Sequence, residues 1–196
     1  MLTERIEQGP FRLSRRRLCA SAALVATVVA IGPPSASWAA TAAEIDADAN
    51  NALDALLKEN EGARALADQA KGILIFPSIV KGGLIVGGAY GEGALRVGGK
   101  SVGYYNSVAG SVGLQAGVQS FSYALFFMTD EALNYVKKSE GWEIGVGPTV
   151  VVADEGFAAS ASSTTLQAEI YAFIFGQEGL MAGLSIEGSK ITQIER

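Results

Sequence analysis

Ala94-Leu95-Arg96-Val97-Gly98-Gly99-Lys100-Ser101 has the spacing of a relaxed phosphate-binding loop, with alanine where the stricter pattern has glycine. Val150-Val151-Val152-Ala153-Asp154 could supply an apolar strand ending in a magnesium-binding aspartate. Such a loop works only if a helix follows it, because the helix amino end aims N–H groups at the phosphates. The residues after Ser101 are Val102-Gly103-Tyr104-Tyr105-Asn106, which read as extended chain. Gly98-Gly99 is therefore expected to be a hairpin turn, and nucleotide is not an expected partner. Gly91-Glu92-Gly93 fails as a dinucleotide fingerprint, since Arg96 stands at the third glycine position and no helical pattern follows.

The remaining chemistry is narrow. The 196 residues contain one cysteine and no histidine, which removes imidazole catalysis, a neutral-pH switch and a Cys/His metal cluster. Glu92, Asp130, Glu131, Glu143, Asp154, Glu155, Glu169 and Glu187 could form a carboxylate pair for hydrolysis. Their separation would decide that chemistry, and so many acids read first as a solvated acidic face. No catalytic residue, metal ligand or cofactor is expected.

The amino terminus reads as an export signal. Arginines at Ser14-Arg15-Arg16-Arg17 precede an uncharged run from Cys19 to Ile31, and Ser35-Ala36-Ser37-Trp38-Ala39-Ala40 has small residues at the −3 and −1 positions. Arg15 and Arg16 give it a twin-arginine character, with cleavage expected between Ala39 and Ala40. The 13-residue apolar run is shorter than the roughly 20 residues needed to span a bilayer. The expected destination is the periplasm. Residues 1–39 hold five arginines and two glutamates, so residues 40–196 keep ten bases and eighteen acids, a net charge of −8. Nucleic acid is not an expected partner for so acidic a chain, and any anionic membrane must be met by a local site.

The elements follow from periodicity. Ile45, Ala49, Ala52, Leu53, Leu56 and Leu57 recur at helical spacing, and a second short helix is expected over 63–70, so 44–70 is the helical part. From 71 onward the texture is that of strands. Ile73-Leu74-Ile75-Phe76 is an apolar run stopped by Pro77, and Leu84-Ile85-Val86 is another between glycine pairs. The clearest alternation runs from Val108 to Val118, with Ser111 and Gln119 on its small or polar face. Two more alternations surround Ile170 and Leu184. Thr129-Asp130-Glu131 and Lys137-Lys138 bracket one further helix near 130–138, with charges that suit its dipole. Gly83, Gly87 and Gly91 also fit a membrane-helix contact face, but glycines this dense disfavour a helix. The expectation is a single α+β domain over 40–196: N-terminal helices on a mainly antiparallel, glycine-rich sheet, strongly curled or closed into a small barrel.

The glycine clusters carry a resemblance. Ala70-Lys71-Gly72-Ile73-Leu74-Ile75-Phe76-Pro77, then Lys81-Gly82-Gly83-Leu84-Ile85-Val86-Gly87-Gly88-Ala89-Tyr90-Gly91-Glu92-Gly93, then Gly113-Leu114-Gln115-Ala116-Gly117, and finally Gly179 to Gly188 occur in the order of the SYLF domain family. The chain resembles that family over roughly 45–194. The resemblance implies a module associated with phospholipid and phosphoinositide binding, without established catalytic residues. Eukaryotic members sit beside SH3 or FYVE modules, and some are linked to actin. No such module is visible here, and actin is not expected to meet an exported chain. One departure is Lys100-Ser101-Val102-Gly103-Tyr104, where the family often has a Trp-Ser-x-Pro-like segment. The bases near the motifs, Lys71, Lys81, Arg96 and Lys100, are the candidates for lipid headgroup phosphate, with solvated turn residues as the alternative. The expected function is a non-catalytic lipid-binding or envelope-associated protein. The alternative is a structural or protein-interaction module that binds another envelope protein.

Overall fold

Thr41 starts the first helix. Its side chain accepts from the Glu44 N–H, and the Glu44 carboxylate accepts from the Thr41 N–H at 2.8 Å, a reciprocal cap. The computed structural model describes residues 40–112, 117–153, 168–179 and 185–196. Helix α1 (Ala42–Glu59) buries Ile45, Ala49 and Leu56. Asn60 ends it and caps α2 (Glu61–Ala67), its Oδ1 accepting from the Ala63 N–H at 2.8 Å. The second helix therefore starts two residues before its expected position. An Asn that caps one helix where another stops needs no glycine break between them.

Strands β1 (Gly72–Gly83), β2 (Val86–Val97), β3 (Lys100–Val112), β4 (Gly117–Phe127), β5 (Trp142–Glu143), β6 (Val150–Ala153), β7 (Ile170–Gly179) and β8 (Lys190–Ile194) form one sheet. Its order is β5-β8-β3-β2-β1-β4-β7-β6. Every pairing is antiparallel except β6 with β7. Helix α3 (Asp130–Lys138) follows β4, with Thr129 as its cap. The fold is the expected α+β arrangement, and among the described residues the curled sheet stays open.

Both faces of the sheet are buried at one end. Ile75, Ala94, Ala124, Phe126 and Phe173 pack under α1 and α2. Their neighbours Leu74, Leu95, Leu125 and Phe127 point the other way, into a core shared with α3 and Trp142. Two-sided burial explains why Ile73–Phe76 and Tyr123–Phe127 read as continuous apolar runs rather than alternations.

Three expectations need correction. Pro77 does not stop β1: the strand runs on to Gly83 through a register shift between Phe76 and Ile79. At a shift the ladder skips an N–H, so a residue lacking one is tolerated. Leu84-Ile85-Val86 is not a separate strand. Gly83 pairs with Gly87, so these apolar residues form the tip of the β1–β2 hairpin and the first residue of β2. The alternation from Val108 to Val118 spans two strands, since β3 ends at Val112 and β4 starts at Gly117. The Gly98-Gly99 turn is as expected. Both residues have positive φ, 58° and 78°, which glycine adopts without steric cost and which suits a tight hairpin.

Arg15, Arg16, Ala39, Asp154, Glu155 and the segment from Leu180 to Leu184 lie outside the described residues. Ala40, on the far side of the expected cleavage point, directly precedes the Thr41 cap.

Candidate functional site

The four candidate bases do not converge. Lys71 is exposed just before β1, and its backbone N–H donates to the Phe127 carbonyl at 2.8 Å. Arg96 lies in the same end of the sheet, opposite Ile73, and its Nη2 donates to the Gly99 carbonyl at 2.6 Å. Lys100 opens β3 opposite Val97. Val97 packs on the core shared with α3, whereas Arg96, next along the strand, projects to the opposite face. Lys81 stands alone near the far end of β1, ten residues from Lys71 or roughly 30 Å along an extended strand.

Lys81 is the one that lines a cavity. The pocket measures about 140 Å³ and lies on the inner face of the curl. Ile79, Phe121 and Tyr123 form its floor, Ala89 and Ala109 its flank, and Ser107, Ser111, Ser185, Ser189 and Glu187 add polar groups. No acid comes within ion-pair distance of Lys81 among the described residues. Tyr123 donates its hydroxyl to Ser107 Oγ at 2.7 Å. Burial pushes that phenol far above its ordinary value, and the Ser107 contact offsets a part of the rise. The hydroxyl stays neutral throughout the physiological range. Gln119 stands directly across from Lys81 in the β1–β4 ladder, on the strand face that holds Phe121 and Tyr123. Its Oε1 is buried and has no hydrogen-bond partner among the described residues.

The arrangement offers an ammonium group, several hydroxyls and, from Glu187, one carboxylate in a small, half-enclosed space. It suits the oxygens of a single anionic group, through charge-assisted hydrogen bonds. Sequence reasoning identified Lys81, Ser111 and Gln119 as polar positions but missed Tyr123 and Ser107. Tyr123 sits inside an apolar run, and only the pairing of strands shows that its hydroxyl meets a serine on β3. Among the described residues no group of three or more acids could hold a metal ion.

A second polar cluster lies on the helix-bearing face. Tyr90 donates to Glu92 Oε1 at 2.6 Å, and the Arg196 guanidinium forms an ion pair with the same carboxylate. Glu92 thereby ties the C-terminal residue to β2.

Residues 108–196 match the Ysc84 family, described as Las17-binding protein actin regulator. The match begins within β3 and runs through β8, and β1 and β2, with Lys81, precede it. No curated protein matches the chain.

Proposed function

We propose that a chain with a SYLF domain over residues 108–196 and a lysine-lined pocket on its inner sheet face is a non-catalytic, exported lipid-binding protein. Its site takes the phosphate of a phospholipid headgroup at Lys81. The supporting observation is the placement of that lysine, without an ion-pair partner among the described residues, beside serines, Glu187 and the buried Tyr123–Ser107 pair. Lys71, Arg96 and Lys100, at the other end and divided between faces, are not assigned to the headgroup. Residues 1–39 act as the twin-arginine export signal and direct the protein to the periplasm.

The test is flotation of the full chain with vesicles of phosphatidylglycerol or of phosphatidylcholine across a salt series. Lys81→Glu is compared with the wild type, so that any contribution of the leader is common to both. The variant is expected to lose flotation on the anionic vesicles, with the largest difference at low salt. Equal flotation of variant and wild type would remove Lys81 from the function.

The family description names a protein partner, and that supports a second reading, an interaction module for another envelope protein. In that case neither vesicle type would be bound in a Lys81-dependent way.

A further inference from the structure

Among the described residues the helix-bearing face of the sheet is only half covered. Strand alternation places Val86 and Tyr90 on the same side of β2 as Ala94, which packs under the helices. Tyr90 pairs across the sheet with Val80 on one side and with Val108 on the other, while Gly82 pairs with Val118. All five side chains lie on one continuous face of β3-β2-β1-β4, and all are exposed. Beyond them the hairpin tip presents Leu84 and Ile85, which are 72% and 66% exposed, and Val86 and Val118 are each 70% exposed. Single exposed apolar residues are ordinary, but a contiguous set across four strands marks a contact surface.

Charge is distributed to match. No charged residue occurs from Gly82 to Gly91 or from Ser101 to Thr129. Lys81 therefore borders an uncharged end. The acids Glu44, Asp46, Asp48, Asp54, Glu59 and Glu61 are gathered on α1 and α2, over the opposite half of the sheet. Glu178 and Glu187 flank the uncharged end. A chain with this polarity meets an anionic surface tip first, holding its acidic helices away from it.

We propose that the β1–β2 hairpin tip, with the bare face of Val80, Tyr90, Val108 and Val118, inserts into the outer region of a phospholipid bilayer. This rests on the lipid reading above and adds the element that enters the membrane. A flat protein partner would cover the face but leave the tip projecting, whereas a bilayer covers both. Dimensions agree. At about 3.3 Å per extended residue, Lys81 stands about 10 Å behind Leu84. That is the depth at which an apolar surface element reaches the acyl boundary while its base remains among the phosphates. The tip would thus hold the Lys81 pocket at headgroup level.

The experiment uses the full chain with Cys19→Ser and one new cysteine: Leu84→Cys, Val118→Cys or, on the exposed side of α3, Lys137→Cys. Each is labelled with a fluorophore sensitive to polarity and mixed with equimolar phosphatidylglycerol–phosphatidylcholine vesicles. Labels at 84 and 118 are expected to shift to the blue and to be quenched by bromine on lipid chains, with no change at 137. A Leu84→Ser/Ile85→Ser/Val86→Ser variant should keep the wild-type urea midpoint, since these side chains are exposed, and lose at least tenfold in vesicle partition. Vesicle binding with a label at 84 that stays in water overturns the insertion. So does shielding of that label without vesicles in proportion to protein concentration, which would assign the face to a second copy. If the label inserts while Lys81→Glu floats like the wild type, insertion stands and the headgroup assignment fails. If the chain does not bind vesicles at all, both fail.

Discussion

The Ser101 hydroxyl donates to Asp46 Oδ1 at 2.6 Å, linking β3 to α1 across 55 residues of sequence. Tyr104 adds a second bond to the other oxygen of the same carboxylate at 3.0 Å. Asp46 lies on the amino-terminal side of α1, so these two bonds fix where the helix crosses the sheet. Among the described residues the sheet beyond that crossing is left bare. Asp46→Ala is expected to lower stability by about 2 kcal/mol, since it leaves two hydroxyls without their acceptor. Asp46→Asn should restore a part of it. Urea midpoints of the three proteins measure the difference, and no difference between Ala and wild type would dismiss the link.

Alkaline pH should weaken the fold through Tyr123. Burial raises its pKa above the ordinary 10.0, so folded and unfolded chains hold the same proton below about pH 10. Above that value the unfolded chain releases the proton first, and stability falls as pH rises. The loss approaches about 1.4 kcal/mol per pH unit for this one group. Tyr123→Phe is expected to cost about 1 kcal/mol at pH 8, through the lost bond to Ser107, and to flatten the decline between pH 10 and 11. A slope unchanged by the substitution would remove Tyr123 as its source. Tyr90, Tyr104 and Tyr105, also raised, leave some slope in the variant.

Two glycines of neighbouring strands should respond in opposite ways. A Cβ at Gly93 would run into the Ile75 carbonyl oxygen and the Phe76 ring, so Gly93→Ala should destabilise by 3 kcal/mol or more on the order-of-magnitude scale of core overpacking. At Gly110 nothing among the described residues lies within 4 Å of that position. Gly110→Ala should be neutral or slightly stabilising, as alanine loses less backbone freedom on folding. Thermal melts of the pair decide it.

Arg196 contributes through Glu92. Their side chains are 19% and 12% exposed, so screening is partial, and Arg196→Ala should cost about 1 kcal/mol. The difference from wild type should shrink when salt is raised. A salt-independent cost would point to lost packing of the arginine stem instead.

Period and capping made much of this architecture legible. Thr129 with its following acids placed α3, and Gly98-Gly99 placed the β2–β3 turn, because both signals lie within a few residues of the structure they specify. The errors arose where distant chain decides. Leu84-Ile85-Val86 has a strand's composition, yet the pairing of Gly83 with Gly87 makes it a tip. Pro77 has a breaker's composition, yet the register shift accommodates it. For the site, Lys81 was visible as a base next to a glycine pair. Its separation from Lys71, Arg96 and Lys100 was not, because the span of β1 places the bases at opposite ends of the sheet. Tyr123 and Ser107 meet only through the curl of β4 towards β3, with β1 and β2 between them in the sheet order.

Among the described residues the sheet ends on β5, two residues long, and on β6, four residues long. A neighbouring chain that tried to extend the ladder at either margin would find only one or two turns of hydrogen-bonding repeat to copy. The long uncharged, strand-forming runs thus lie in the central strands, and the outermost described strands are the shortest ones, which keeps the template at those two margins small.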